Sequence, residues 1–294
     1  MWRNITESVQ DMNRIVFTNA GLKNIAYVTM FIDHFFAVVI MEMIKRQSAA
    51  GYETDLLRQI YSAGRAVGRI SFVLFAYLAV EGFLYTRSRR AYLSRLGIFA
   101  LMSEVPFDLA FSGELVDRGS QNVFFTLFLG VLTLTVWEWA GKNVRQIQQC
   151  RTDRRDRCWW VCVIAFRAVQ SGTVACCCVI AYALHTDYKY MGVLLIFTFY
   201  LMHDAKLFSK IALAGCVMLF GIWSVNCLRY SGLYTKAYLF RFSMRELYGL
   251  AAFVPIALYD GSKGRQLPKA VCYGFYPVHL LVLHWVVTVI WGNI

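Results

Sequence analysis

Apolar residues along this chain come in long blocks rather than in alternation with polar ones. A membrane-crossing helix needs about 20 mainly apolar residues, and nine blocks approach that length: 24–44, 70–86, 96–113, 121–141, 158–184, 189–206, 208–226, 246–260 and 269–292. The link between the sixth and seventh is very short and the eighth block is short. The pattern therefore predicts an all-α, polytopic transmembrane helical bundle of about nine spans, with eight to ten as the range. Residues 1–22 read as a polar N-terminal segment and 23–292 as a single integral-membrane domain, without a repeat or a separate soluble unit. The first block carries Asp33 and His34, which a cleaved secretory segment would not, so it is read as a retained span.

Composition agrees. Of 294 residues, 58% are hydrophobic and only 16% charged, against about 25% charged in soluble domains. Mean hydropathy is +0.48. A disordered chain and an ordinary soluble enzyme are excluded, because there is too little polar surface to cover one. The net charge of +12 reads as loop lysine and arginine, not as a nucleic-acid footprint. Lys and Arg are more numerous in the links on the side of the N-terminus, which places that end in the cytoplasm and the chain in the cell membrane. Cys176, Cys177 and Cys178 lie in an apolar block, and the Arg151–Arg157 run carries Asp153 and Asp156 like a solvated loop. No metal site is expected.

Ionisable residues inside spans are costly and mark function by default. Asp33 and His34 lie midway along the first block, Glu81 in the second, Glu104 and Asp108 in the third, Arg167 in the fifth, and His279 and His284 in the last. Lys23 and His34 are eleven residues apart, which puts them within about 20° on one helix face and about 16 Å apart along it. His279 lies ten residues past Lys269, about 15 Å in from the same side. The two histidines thus reach one depth from opposite ends of the sequence, which predicts a shared buried site; the bland alternative is two histidines that each bond a neighbouring helix. Glu104 and Asp108 share a face around Pro106 and suit paired acid–base work, or else Glu104 pairs with Arg167 or Arg69. Glu81 would pair with Arg87 or Arg90. Asn122 and Thr126 share another face. Arg87, Arg89 and Arg90 form a basic cluster that serves either topology and lipid contact or a phosphate clamp.

Several strings resemble the TraX family. They are Leu22–Tyr27 with Met30–His34, Gly68–Phe72 with Leu74–Tyr77 and Val80–Phe83, Ser103–Asp108, Gln121–Thr126, Tyr259–Gly264 and Phe275–Leu280. The likeness runs from about residue 22 to 281 and is loosest over 142–245. Val73 stands where relatives often carry Pro, and Asp260 where Asn is more usual. The resemblance implies an integral-membrane acetyltransferase, related to acyltransferases of bacterial glycans and to lysosomal heparan acetyltransferase. TraX itself is associated with acetylation of pilin. The glycan enzymes carry an Arg and a His eleven residues apart, a spacing that Lys23 and His34 keep.

The function expected on that basis is transfer of an acetyl group from cytoplasmic acetyl-CoA, a cosubstrate, to a peptide amine, a small amine or a glycan hydroxyl. The expected catalytic residues are His34, as base or acyl carrier, with Asp33, Lys23 and Glu104. Arg87, Arg89, Arg90 and Arg69 would hold the cofactor. His279, Tyr276, Asn122 and Asp108 would hold the acceptor. Two rivals stand beside this reading. One is a proton-coupled transporter that uses the buried Asp, His and Glu side chains. The other is a non-enzymatic scaffold such as a pilus or envelope assembly factor.

Overall fold

The computed structural model describes residues 16–149, 157–230 and 232–292. The segment before residue 16 and most of the Arg-rich run, 150–156, lie outside the described residues.

The described residues are mainly helical, and two isolated bridges, Phe17 with Tyr259 and Gln121 with Thr186, are the β contacts among them. Helix α1 covers Asn19–Ala49, with a five-residue π turn at Phe36–Ile40. Then come α2 (Asp55–Tyr85), α3 (Arg89–Phe111), α4 (Val123–Gln149), α5 (Arg157–Ala183), α6 (Lys189–Leu201), α7 (Leu207–Arg229) and α8 (Lys236–Ser243). A 3₁₀ segment, Met244–Ala252, leads into α9 (Phe253–Ala257), and α10 (Lys269–Trp291) closes the chain.

Among the described residues six helices are long and apolar enough to cross a membrane: α1, α2, α4, the Trp159–Ala183 part of α5, α7 and α10. The expected nine is therefore corrected to six. Each of the other three blocks fails for its own reason. Helix α3 carries Arg89, Arg90, Arg95, Glu104 and Asp108 along its length. Helix α6 has 13 residues, about 20 Å against an apolar layer of about 30 Å. The 246–260 block breaks into a 3₁₀ segment and the five-residue α9.

The first and last helices lie side by side and run the same way. The Thr18 hydroxyl caps α1 by accepting from the Gly21 N–H at 3.2 Å. Just ahead of it, Phe17 N–H donates to Leu258 O (2.8 Å) and Asp260 N–H to Phe17 O (3.1 Å). At the far end the Arg46 guanidinium donates to Trp291 O at 3.3 Å. Helix α2 packs on α1 through two glycines one turn apart: the Phe36 ring seats on Gly64 and the Asp33 carboxyl on Gly68. A side chain at either glycine would occupy the space those groups fill. Lipid offers helices no hydrophobic drive to associate, so close approach at small residues does that work. The core, with Leu22, Ala26, Phe72, Leu74, Phe83, Leu134, Leu195 and Leu280, joins α1, α2, α4, α6 and α10. Helix α5 is peripheral, with 17% of its apolar window buried.

Candidate functional site

His34 lies on α1 just before the π turn, and His279 on α10 one turn past Phe275. Both are buried, and the structure brings them together: His34 Nδ1 lies 2.6 Å from His279 Nε2. Their rings are parallel to within 4°, with centroids 4.9 Å apart. His279 Nδ1 lies 2.8 Å from Phe275 O. That contact fixes the protons of the neutral pair by elimination. A carbonyl only accepts, so His279 Nδ1 carries hydrogen and its Nε2 is bare. His34 Nδ1 must then donate to it, which leaves the lone pair of His34 on Nε2. A backbone-anchored imidazole that orients a second imidazole leaves the latter with one free lone pair able to accept a proton.

Aromatic rings wall the pair. Phe111 and Tyr276 meet His34 edge-on at centroid distances of 5.6 and 5.7 Å, and Phe275 stacks on His279 at 5.0 Å. Tyr276 is 2% exposed, and its hydroxyl has no protein partner in hydrogen-bond geometry.

A charged cluster adjoins the pair. Asp33 Oδ2 accepts from Arg65 Nη1 at 2.5 Å, and Arg65 lies within electrostatic range of His34. Arg69, one turn further along α2, pairs with Glu246 of the 3₁₀ segment at 3.1 Å. Asp187, in the 184–188 link, completes the group. Asp187 keeps exposed surface while protein packs densely around its carboxyl. Removal from bulk water pushes its carboxyl up to about 6; Arg65 and Arg69 oppose that rise, while Asp33 and Glu246 add to it. Arg65, Glu246 and Asp187 were not among the expected site residues.

The remaining expected residues divide between this site and the rest of the molecule. Glu104 pairs with neither Arg167 nor Arg69. Its Oε2 accepts from the Asn122 side-chain amide and from the Asn122 N–H (3.3 Å). Arg167 donates instead to Gln170 Oε1 at 2.9 Å. Asn122 also donates to Ala100 O (2.8 Å) and accepts from Phe124 N–H (3.0 Å), so it pins the start of α4. Asp108 accepts from Asp117 N–H at 2.9 Å. Lys23 is not at the histidines; its ammonium donates to Gln266 Oε1 at 2.6 Å, near the start of both end helices.

Arg87 and Arg90 are exposed. Arg89 pairs with Glu138 at 2.8 Å and lies 4.3 Å from the Phe83 ring centre. Nineteen residues of α2 and its exit separate Gly68, level with Asp33, from Arg87, about 29 Å at helical rise. Glu81 pairs with neither Arg87 nor Arg90: it accepts from the Tyr259 hydroxyl (3.2 Å) and lies 3.5 Å from His203 Nε2. Among the described residues no group of three His, Cys, Asp or Glu is placed to hold a metal.

Comparison with known proteins gives a family and a relative. The family model described as TraX protein matches residues 18–287. A relative from Dichelobacter nodosus, "Probable fimbrial assembly protein FimC, serogroup H1", is 27% identical over 129 residues, 42% of this chain. The match spans 47% of that relative, about half its length. No solved structure matches the chain. These findings correct the functional expectation: the relative's name concerns fimbrial assembly, and neither acetyl transfer from acetyl-CoA nor proton-coupled transport is what the two findings support.

Proposed function

The chain belongs to the TraX family, and from that premise we propose that it is a membrane-embedded factor of fimbrial assembly that acts on a fibre subunit at the His34–His279 pair. The likeness to a fimbrial assembly protein carries the reading. The site supports it with a specific chemistry. His34 Nε2 is the bare nitrogen of a pair anchored on Phe275 O, placed to take a proton from a nucleophile. Arg65, Arg69 and Asp187 line the approach. The Arg87–Arg90 cluster takes no part.

The test is fimbriation of the native host carrying His34→Ala, with the protein quantified in the membrane fraction. Fimbriae per cell, counted by electron microscopy, fall to the level of a deletion strain while the protein persists. Normal fimbriae in the deletion strain overturn the assembly role. Normal fimbriae in His34→Ala alone overturn the histidine's part in it.

A further inference from the structure

Five buried side-chain atoms without a protein partner fall in one tract: Ser103 Oγ, Glu104 Oε1 and Asp108 Oδ1 on α3, Thr126 Oγ1 on α4 and Tyr276 Oη on α10. Buried polar atoms are ordinarily paired, because leaving one unpaired costs free energy. Five such atoms on three helices that meet around Asn122 and Phe124 form a polar seam, the chemistry in which internal water is held.

The tract has two ends. At one, Tyr276 meets His34 edge-on at 5.7 Å. Tyr276 meets the Phe124 ring edge-on at 5.2 Å, Phe124 N–H donates to Asn122 Oδ1 at 3.0 Å, and Asn122 donates to Glu104 Oε2, four residues before Asp108 on α3. At the other end, Asp108 Oδ2 accepts from Asp117 N–H at 2.9 Å, and Asp117 is partly exposed in the link between α3 and α4. Glu104 and Asp108 each hold one carboxylate oxygen in a hydrogen bond and leave the other open. One oxygen fixes the side chain and the other stays available.

We propose that this tract is a hydrated proton path from His34 Nε2 to the surface at Asp117, with Glu104 and Asp108 as its relays. The inference rests on the reading of His34 as a base. Once His34 Nε2 has taken a proton, the N–H bond breaks toward a water beside Tyr276 Oη and an O–H bond forms at Glu104 Oε1. That bond breaks in turn as one forms at Asp108 Oδ1. The proton then passes to bulk water at Asp117, and His34 regains its lone pair.

Histidine ring N–H exchange reads the path directly. Full-length protein with ¹⁵N-histidine, reconstituted in phosphatidylcholine–phosphatidylglycerol bilayers, is moved into D₂O and followed by solid-state NMR. Loss of signals in His34→Ala and His279→Ala assigns the pair. Glu104→Gln slows exchange roughly 100-fold, Glu104→Asp restores it, and Asp204→Asn, a carboxylate in the α6–α7 link, leaves it unchanged. Where Glu104→Gln does not fold, Asp108→Asn is read in its place. Equal exchange in wild type and Glu104→Gln, or wild-type ring protons already as slow as in the variant, overturns the path. Normal fimbriation in His34→Ala together with slowed exchange in Glu104→Gln overturns the base reading and keeps the path.

Discussion

His34 owes its bare Nε2 to a main-chain carbonyl on another helix, through His279. Removing the intermediary should release the ring. In His279→Ala, ¹⁵N NMR is expected to show His34 as a mixture of both neutral tautomers, where the wild type shows the Nδ1–H form alone; a single Nδ1–H form in both would mean that something else holds the ring. Asp187 gives a second test. Its carboxyl is raised to about 6 from 3.8, so the folded state holds that proton more tightly than the unfolded chain does. Stability is then lost as pH rises through that window and stays lower above it. Asp187→Asn removes the effect. Its thermal midpoint in detergent, relative to wild type, should climb between those two values and level off beyond them, whereas parallel curves would contradict the assignment. At this scale the sequence was legible where charge sat inside an apolar block. His34 and His279 could be set at one depth by counting from Lys23 and Lys269. The partners could not: Arg65 and Asp187 lay in stretches read as loops, and Glu246 opened a short block read as a span of its own.

Helix α2 shows why. Its apolar block begins at residue 70, yet the helix begins at Asp55. The added turns carry Arg65 and Arg69, whose carboxylate partners come from α1 and the 3₁₀ segment. Hydropathy ends a helix where the charges start, but these charges face protein. Two glycines separate packing from propensity. In Gly68→Ala the new methyl meets the Asp33 carboxyl, and the overlap should cost about 1–3 kcal/mol, more than the roughly 1 kcal/mol that alanine gains in a helix. Gly172→Ala, in peripheral α5, has nothing within 4 Å of the added atom and should keep that gain. Thermal midpoints in detergent are expected to move in opposite directions; a rise in both would show that α1 can back away from α2.

Across the whole molecule, the helical membrane bundle was legible and the span count was not. Block length records apolarity, while crossing also needs an unbroken helix with few charges, and α3, α6 and the 246–260 block each lack one of these. The distance between charges was not legible either: Arg87 sits about 29 Å along α2 from the level of Asp33. Because α10 lines α1 from Lys23–Gln266 to Arg46–Trp291, a chain ending before Lys269 should fail to accumulate in membranes by immunoblot. A stable truncated protein would show that the other helices hold the bundle alone.

The two histidines stand 245 residues apart in sequence. At a synthesis rate of about 5–20 residues per second, His34 emerges from the ribosome roughly 12–50 seconds before its partner. Until then it sits in the lipid phase without its orienting neighbour. A stalled or prematurely terminated product therefore carries His34 without its partner, and the pair is assembled only once α10 has been made.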